Sequence, residues 1–278
     1  MRDVTFGQYY PSNSCIHKLN ASVKILITIA YIVAVFLVQS YHFLGFLACL
    51  FFVVLATILG KIPFGKVISS IKGIIFFIIL SALLQLFFNT QGTPLWEGGF
   101  ITDQGLLTAG FITCRITLVV LGASLLTLTT TPVDLADGIE DLMFPLKLIK
   151  FPVHEFALIM SIALRFIPTL LDETDRIIKA QKARGANFES GSIFARAKAL
   201  IPVLIPLLIS SFRRADELAS AMDARCYAGS KTRTKYKKAH FGFGDILSLL
   251  ITAGLIVGII FLNDFYLYPY ILQLVATL

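Results

Sequence analysis

The chain has 278 residues, a formal net charge of +7 and a mean hydropathy of +0.81. Its residues are 56% hydrophobic and only 15% charged, whereas soluble domains are about 25% charged. This composition excludes an ordinary soluble enzyme. It also excludes a disordered or nucleic-acid-binding basic protein, because too little polar surface is available to keep the chain in water. The composition therefore indicates a polytopic membrane protein.

Five apolar runs are long enough to cross a bilayer as helices, which takes about 20 residues. They are residues 23–39, 41–59, 67–88, 105–129 and 243–262. No cleavable signal peptide is expected, because polar and aromatic residues precede the first run and no A-x-A site follows it. The apolar tail at 265–278 is too short to cross again. We expect this tail at the membrane interface, where tyrosine rings are favoured.

The basic residues that flank these runs all lie on one side of the predicted membrane. They precede the first run, occupy the loop between the second and third, and fill the region between the fourth and fifth. Lys and Arg beside spans are retained in the cytoplasm, so the amino terminus is predicted to be inside and the carboxyl end outside. The chain then divides into a membrane part at 1–129, a cytoplasmic region at 130–242, and a last span with its tail at 243–278.

The region 130–242 reads as helices, without strand-like alternation. Thr131 is a predicted N-cap, followed by Pro132 at the first helical position. The short helix that follows would present an apolar side made of Leu135, Ile139, Leu142 and Leu146. Two long helices come next, the first ending at Gly185 and the second at Gly229, since glycine commonly ends a helix.

The two long helices end in similar sequences. Residues 180–185 superpose on residues 221–226 at a shift of 41. One arginine near a helix end would be an ordinary solvated residue favoured by the helix dipole, but two copies in the same context favour a binding role. The predicted binding tips consist of Ala183, Arg184, Gly185, Ala224, Arg225 and Cys226.

The shafts of the long helices carry an apolar stripe. Helices with charged tips and apolar shafts cannot form a core by themselves, so we expect them to transmit force or to bind partners. Small residues along the second shaft would allow close helix approach. The candidate partner-binding residues of the stripe are Ile167, Leu171, Ile178, Leu208, Phe212 and Met222.

No motif in the chain predicts catalysis. Residues 60–67 almost fit a phosphate-binding loop, but Val67 stands where the Mg²⁺-binding hydroxyl belongs and no strand precedes Gly60, so a turn is favoured. Arg115 lies inside a span without an acidic partner in another span, and a structural role such as pairing with backbone carbonyls is favoured over a functional one. The four cysteines and four histidines are scattered, so neither a metal site nor a bound cofactor is expected.

Motifs along nearly the whole chain form one recognisable set. They are Gly7-Gln8-Tyr9, Pro11, Ser14, His17, Leu19, Lys24, the Thr129-Thr130-Thr131-Pro132 run, Leu164-Arg165-Phe166-Ile167-Pro168, Ala180-Gln181 and the paired Ala-Arg motifs. With this set the chain resembles the transmembrane T component (EcfT/CbiQ family) of energy-coupling factor transporters, which import vitamins and metals in bacteria and archaea. Two departures stand out. Asn20-Ala21-Ser22 replaces the usual Asp-Pro-Arg, and Cys226 replaces a glycine, so a positive φ at Cys226 would be strained.

The resemblance implies an all-α scaffold with no catalytic activity of its own, in the cell membrane of a prokaryote. Each helix tip would dock in a groove of one of two ABC-type ATPases (EcfA and EcfA′), with Arg184 and Arg225 as the central contacts. The shafts would hold a small substrate-binding membrane subunit, the S component. ATP-driven closure of the ATPases would pass through the helices to that subunit, which would release a vitamin inside. Membrane lipid is the other implied partner, and nucleic acid is not one.

Two other classes of function stay open at this point. A self-sufficient secondary permease would need broken helices or paired ionisable residues at mid-membrane, and the spans offer only Arg115. An intramembrane enzyme would need a convergent nucleophile, metal site or carboxylate pair. Copurification with two ATPases and a small membrane protein would favour the scaffold, whereas transport by the chain alone would favour the permease.

Overall fold

The computed structural model describes residues 9–39, 43–88, 102–145, 151–186, 188, 192–227, 229 and 241–276. The helices in these ranges confirm the expected all-α membrane class. The chain forms two compact units, one of Met1–Leu142 with Ala239–Leu278 and one of Met143–Lys238. In chain order the helices are α1 (Ala21–Leu37), α2 (Phe43–Leu59), α3 (Phe64–Lys72), α4 (Ile75–Phe88), α5 (Asp103–Thr129), α6 (Pro132–Leu142), α7 (Val153–Ala183), α8 (Ile193–Ala224) and α9 (Phe243–Ala276).

Several of these helices suit a membrane. α5 and the Phe243–Asn263 part of α9 are long and apolar enough to span one. α1 and α2 have 17 residues each, which makes them about 26 Å long, slightly less than the ~30 Å hydrocarbon core of a bilayer. α7 also meets the criteria of length and composition for a span, although its sequence position had placed it in the region 130–242.

The expected third span is divided in the structure. α3 and α4 are bent by 59° at the short break between them. Gly73 caps the end of α3, and glycine is a poor helix former. The two parts also differ in composition, because α3 contains two lysines and two serines whereas α4 is almost wholly apolar. The single run expected at 67–88 is therefore a bent pair of helices.

The segment before α1 is tied to the end of α5 through backbone groups and His17. The Tyr10 N–H donates to the Leu128 carbonyl at 2.9 Å. The Tyr10 carbonyl accepts from Nε2 of His17 at 3.0 Å, and Nδ1 of the same ring is hydrogen-bonded to the Ser14 hydroxyl at 2.7 Å. Burial lowers the pKa of His17 below its usual value, which favours the neutral imidazole.

A buried lysine joins the same segment to α1 and α5. Lys24 is only 7% exposed, and its ammonium donates to the carbonyls of His17 at 3.2 Å and Thr129 at 3.1 Å. Thr129 is the last residue of α5, where a cation is favoured by the helix dipole. The start of α9 meets the same region, because an Asp245 carboxylate oxygen accepts from the Asn20 N–H at 3.0 Å.

The core between α1, α2 and α5 depends on a glycine. Tyr31 of α1 is buried and stacks on Phe52 of α2, with ring centroids 5.5 Å apart. A Cβ added to Gly122 of α5 would collide with the Tyr31 ring. Gly122 therefore allows α5 to approach α1 at the level of this aromatic pair.

α6 begins where the sequence predicts but buries another face. The Thr131 hydroxyl accepts from the Asp134 N–H at 3.2 Å, which confirms the N-cap. Ala136 and Gly138 are buried. Of the predicted apolar side, Ile139 is exposed, Leu135 and Leu142 are half-buried, and Leu146 lies outside the described residues. A Cβ on Gly138 would lie 2.9 Å from the backbone at the start of α1. Small residues and close backbone approach, rather than the larger apolar side chains, decide which face of α6 packs.

α9 is longer than the run at 243–262 that predicted it. The helix has 34 residues and reaches Ala276, so most of the expected separate tail at 265–278 continues α9. Asn263 of this helix donates to the Leu37 carbonyl at 2.8 Å. That hydrogen bond satisfies a carbonyl at the end of α1, which the helix itself leaves unpaired.

Candidate functional site

The second compact unit consists mainly of α7 and α8. Three prolines lie inside these helices without ending them, Pro168 in α7 and Pro202 and Pro206 in α8. α7 ends at the repeat, just before Gly185 as predicted, whereas α8 ends at Ala224, also at the repeat but short of the predicted Gly229. Their tips are the first part of the candidate site, and the side-chain faces of their shafts are the second.

α7 ends in a Schellman motif, a C-terminal cap closed by two backbone hydrogen bonds. The Gly185 N–H donates to the Lys182 carbonyl at 3.0 Å, and the Ala186 N–H donates to the Gln181 carbonyl at 3.0 Å. Gly185 has φ +88°, the left-handed conformation that glycine adopts readily. Arg184 is thereby held at the last position before the chain turns away.

α8 ends in the same motif. The Cys226 N–H donates to the Asp223 carbonyl at 2.9 Å, and the Tyr227 N–H donates to the Met222 carbonyl at 3.1 Å. Cys226 takes the position of Gly185 and has φ +55°, which is unfavourable for a residue with a Cβ. The structure thus has, at the position where this chain departs from the family's glycine, the conformation that strains any other residue.

All six predicted tip residues are exposed. Arg184 and Arg225 each place a guanidinium at a helix end beside an exposed alanine. A guanidinium offers five donors in a planar fork that matches carboxylates, and small neighbours let a partner's backbone approach. The two tips are therefore suited to bind acidic grooves of another protein.

The predicted apolar stripe separates into two groups. Leu171, Leu208 and Phe212 are 38%, 60% and 64% exposed. The other three residues, Ile167, Ile178 and Met222, are half-buried. The exposed apolar surface of α8 also extends further than predicted, because it includes Ile201, Leu204, Ile205 and Ile209. The sequence signal for these residues was the apolar run around Pro202 and Pro206, which lacks any polar position.

A charged contact between α7 and α8 was missed in the sequence. The Arg214 guanidinium binds one carboxylate oxygen of Glu173 at 2.7 Å, and the Ser210 hydroxyl donates to the other at 2.6 Å. Glu173 and Arg214 are 41 residues apart, the same shift that aligns the tips. The pair could have been predicted from that shift, because it aligns two residues of opposite charge.

Arg115 has partners within the membrane helices. Its Nη2 donates to the Val38 carbonyl at 2.7 Å, just beyond the end of α1. The guanidinium carbon also lies 5.9 Å from the centre of the Phe36 ring and 6.0 Å from that of Phe46. These contacts agree with the structural role favoured from the sequence, pairing with a backbone carbonyl.

The near-match to a phosphate-binding loop is the capped end of α2. The Lys61 N–H donates to the Ile58 carbonyl at 3.0 Å, and the Ile62 N–H donates to the Thr57 carbonyl at 3.2 Å. These N–H groups are used by the helix cap and do not form a phosphate cradle. Within the described ranges, no group of three His, Cys, Asp or Glu side chains is placed to hold a metal ion.

Comparison with known proteins places nearly the whole chain in one family. The family model described as CbiQ, cobalt transport protein, matches residues 12–236. Relatives that bear the name energy-coupling factor transporter transmembrane protein EcfT occur in several bacteria. The protein from Ruminiclostridium cellulolyticum is 47% identical over 95% of this chain and 98% of its own length. That from Acidaminococcus fermentans is 48% identical over 95% and 98%, and that from Bacillus subtilis 42% identical over 92% and 98%.

These matches cover nearly the whole of both chains, so the sequence similarity includes the segments that form the membrane helices and those that form α7 and α8. The resemblance drawn from the sequence motifs is thereby confirmed. The chain belongs to the CbiQ/EcfT family and is a transmembrane component of an energy-coupling factor transporter.

Proposed function

We propose that this chain is the coupling subunit of an importer for vitamins or related micronutrients in a prokaryotic cell membrane. Arg184 and Arg225 dock into grooves of two ABC-type ATPases, EcfA and EcfA′, which hydrolyse the ATP. α7 and α8 transmit the motion of the ATPases to a separate substrate-binding membrane subunit. The chain itself is non-catalytic, with its amino terminus and long helices on the cytoplasmic side.

One observation supports this proposal most directly. Two exposed tips share the same cap, with Gly185 and Cys226 at equivalent positions 41 residues apart in sequence. Two identical caps that each display an arginine suit two related partners, as a pair of homologous ATPases would be. The exposed apolar surface of α8, which includes Leu208 and Phe212, suits a partner that is itself apolar, such as a membrane subunit.

Charge reversal at the tips tests the proposal. The chain is coexpressed with its neighbouring ATPases and substrate-binding subunit, and vitamin uptake and subunit retention are measured at matched membrane abundance. Arg184→Glu and Arg225→Glu should each weaken one ATPase contact by at least about 30-fold, because reversal leaves the partner's carboxylates unpaired and adds repulsion. The double variant should abolish uptake.

Two further variants make the result specific to the tips. Arg184→Lys and Arg225→Lys should restore uptake only in part, since lysine keeps the charge but lacks the planar fork. Lys198→Glu with Arg213→Glu reverses two exposed charges of α8 away from its tip and should leave ATPase retention unchanged. Uptake by the double tip variant equal to that of the wild type would contradict the proposal, and uptake by the chain alone would favour a permease.

A further inference from the structure

The contact between Glu173 and Arg214 joins the shafts of α7 and α8 at equivalent positions of the repeat. Glu173 lies 11 residues before Arg184 (184 − 173), and Arg214 lies 11 residues before Arg225 (225 − 214). At 1.5 Å per residue, each tip is about 16 Å of helix from the contact. The ion pair is therefore equally far along the helix from both docking tips.

The chemistry of the contact favours one alignment of the two helices. Both carboxylate oxygens of Glu173 are engaged, one by the Arg214 guanidinium at 2.7 Å and the other by the Ser210 hydroxyl at 2.6 Å. Ser210 and Arg214 are four residues apart on α8 and so lie on the same face. Sliding one helix past the other by a turn would move the partners by about 5.4 Å and break both bonds.

The two equivalent positions of the repeat carry opposite charges. Like charges in contact would repel, so the difference between Glu173 and Arg214 is what lets the helices meet here. Glu173 and Arg214 have side chains 23% and 37% exposed respectively, and partly exposed pairs contribute little to overall stability. The contact is therefore better suited to set the alignment of two helices than to stabilise the fold.

We propose that Glu173 and Arg214, assisted by Ser210, are positioning residues that hold α7 and α8 in register at the midpoint between the docking tips. This inference rests on the proposed function. The pair makes α7 and α8 move as one body, so that closure of the ATPases is passed on to the substrate-binding subunit. Without the pair, each helix follows its own ATPase, and part of the motion goes into sliding of one helix along the other.

The test uses the complete complex reconstituted in liposomes with its ATPases and substrate-binding subunit. The quantity measured is vitamin imported per ATP hydrolysed. Glu173→Gln and Arg214→Gln should each lower this ratio by roughly 5-fold, the scale of one partly exposed ion pair, while both ATPases stay bound. The exchanged double variant, Glu173→Arg with Arg214→Glu, should recover most of the ratio. Asp172→Asn, which removes an exposed carboxylate beside Glu173, should match the wild type.

Each other outcome overturns the inference. Single variants with the wild-type ratio would show that the pair does not position α7 and α8. Lowered ratios that the exchanged variant fails to restore would show that the residues act separately, and loss of an ATPase would assign them to docking. Failure of the wild-type complex to assemble or import would instead contradict the proposed function, so the two failures are distinguishable.

Discussion

Gly185 and Cys226 occupy the same position of the same helix-ending motif, at φ +88° and +55°. In both motifs, the residue just before them is the arginine of the tip. Glycine adopts this left-handed conformation without cost, whereas a residue with a Cβ is disfavoured there by about 1–2 kcal/mol. The α8 tip therefore holds its arginine in the same geometry as the α7 tip but at a local energetic cost.

Replacing Cys226 by glycine should stabilise the protein. We expect a gain of about 0.5–1 kcal/mol, because relief of the left-handed strain exceeds the entropy that glycine adds to the unfolded chain. Thermal unfolding of the purified protein in detergent measures the effect. Cys226→Ala removes the thiol but keeps the strain, and should give no such gain. Gly185→Cys is the mirror change and should destabilise. A Cys226→Gly protein no more stable than Cys226→Ala would contradict the strain argument.

Aspartate on the exposed stripe should release the substrate-binding subunit. Leu171→Asp and Phe212→Asp place a charge on exposed apolar surface, which becomes buried and unpaired when an apolar partner binds. The ATPases should stay bound, because the tips are unchanged. Subunit ratios after copurification measure the effect. Thr169→Asp, an exposed position about 200° around α7 from Leu171, serves as the control. Wild-type ratios in both stripe variants would mean that this surface is not the interface.

The orientation predicted from the basic residues can be tested by thiol labelling. In a background without the four native cysteines, a single cysteine replaces either Gly98 or Lys235. An impermeant maleimide added to intact cells should label the cysteine at 98 and not that at 235, because the flanking Lys and Arg place the latter inside. Labelling at 235 should appear once the cells are permeabilised. The reverse pattern in intact cells would refute the predicted orientation.

The close approach of α5 and α1 predicts a large effect at one glycine. Gly122→Ala should destabilise the protein by about 1–3 kcal/mol, because the added methyl group collides with the buried Tyr31 ring. Gly110→Ala is a matched control on the same helix, where an added Cβ meets no atom within 4 Å and alanine favours the helix. The melting temperatures of the two purified variants give the comparison. Equal melting temperatures would exclude the close packing at Gly122.

Local features of this protein could be predicted from the sequence. The apolar runs place α1, α2, α5 and α9, and the Thr131 cap marks the start of α6. The repeat at a shift of 41 located both helix tips and indicated that Cys226 takes a position where glycine is preferred. These features depend on composition and on residues a few positions apart, so hydropathy and capping chemistry are sufficient to find them.

The tertiary structure alone decided how the helices meet. It selected Gly138 as the packing face of α6, placed Tyr31 against Gly122, and paired Glu173 with Arg214. These contacts depend on the rotation and alignment of helices far apart in sequence. In a membrane protein, apolar side chains face both lipid and core, so hydropathy does not tell which side of a helix is buried. Packing between helices determines which side is buried, and it depends on small residues and on single polar pairs.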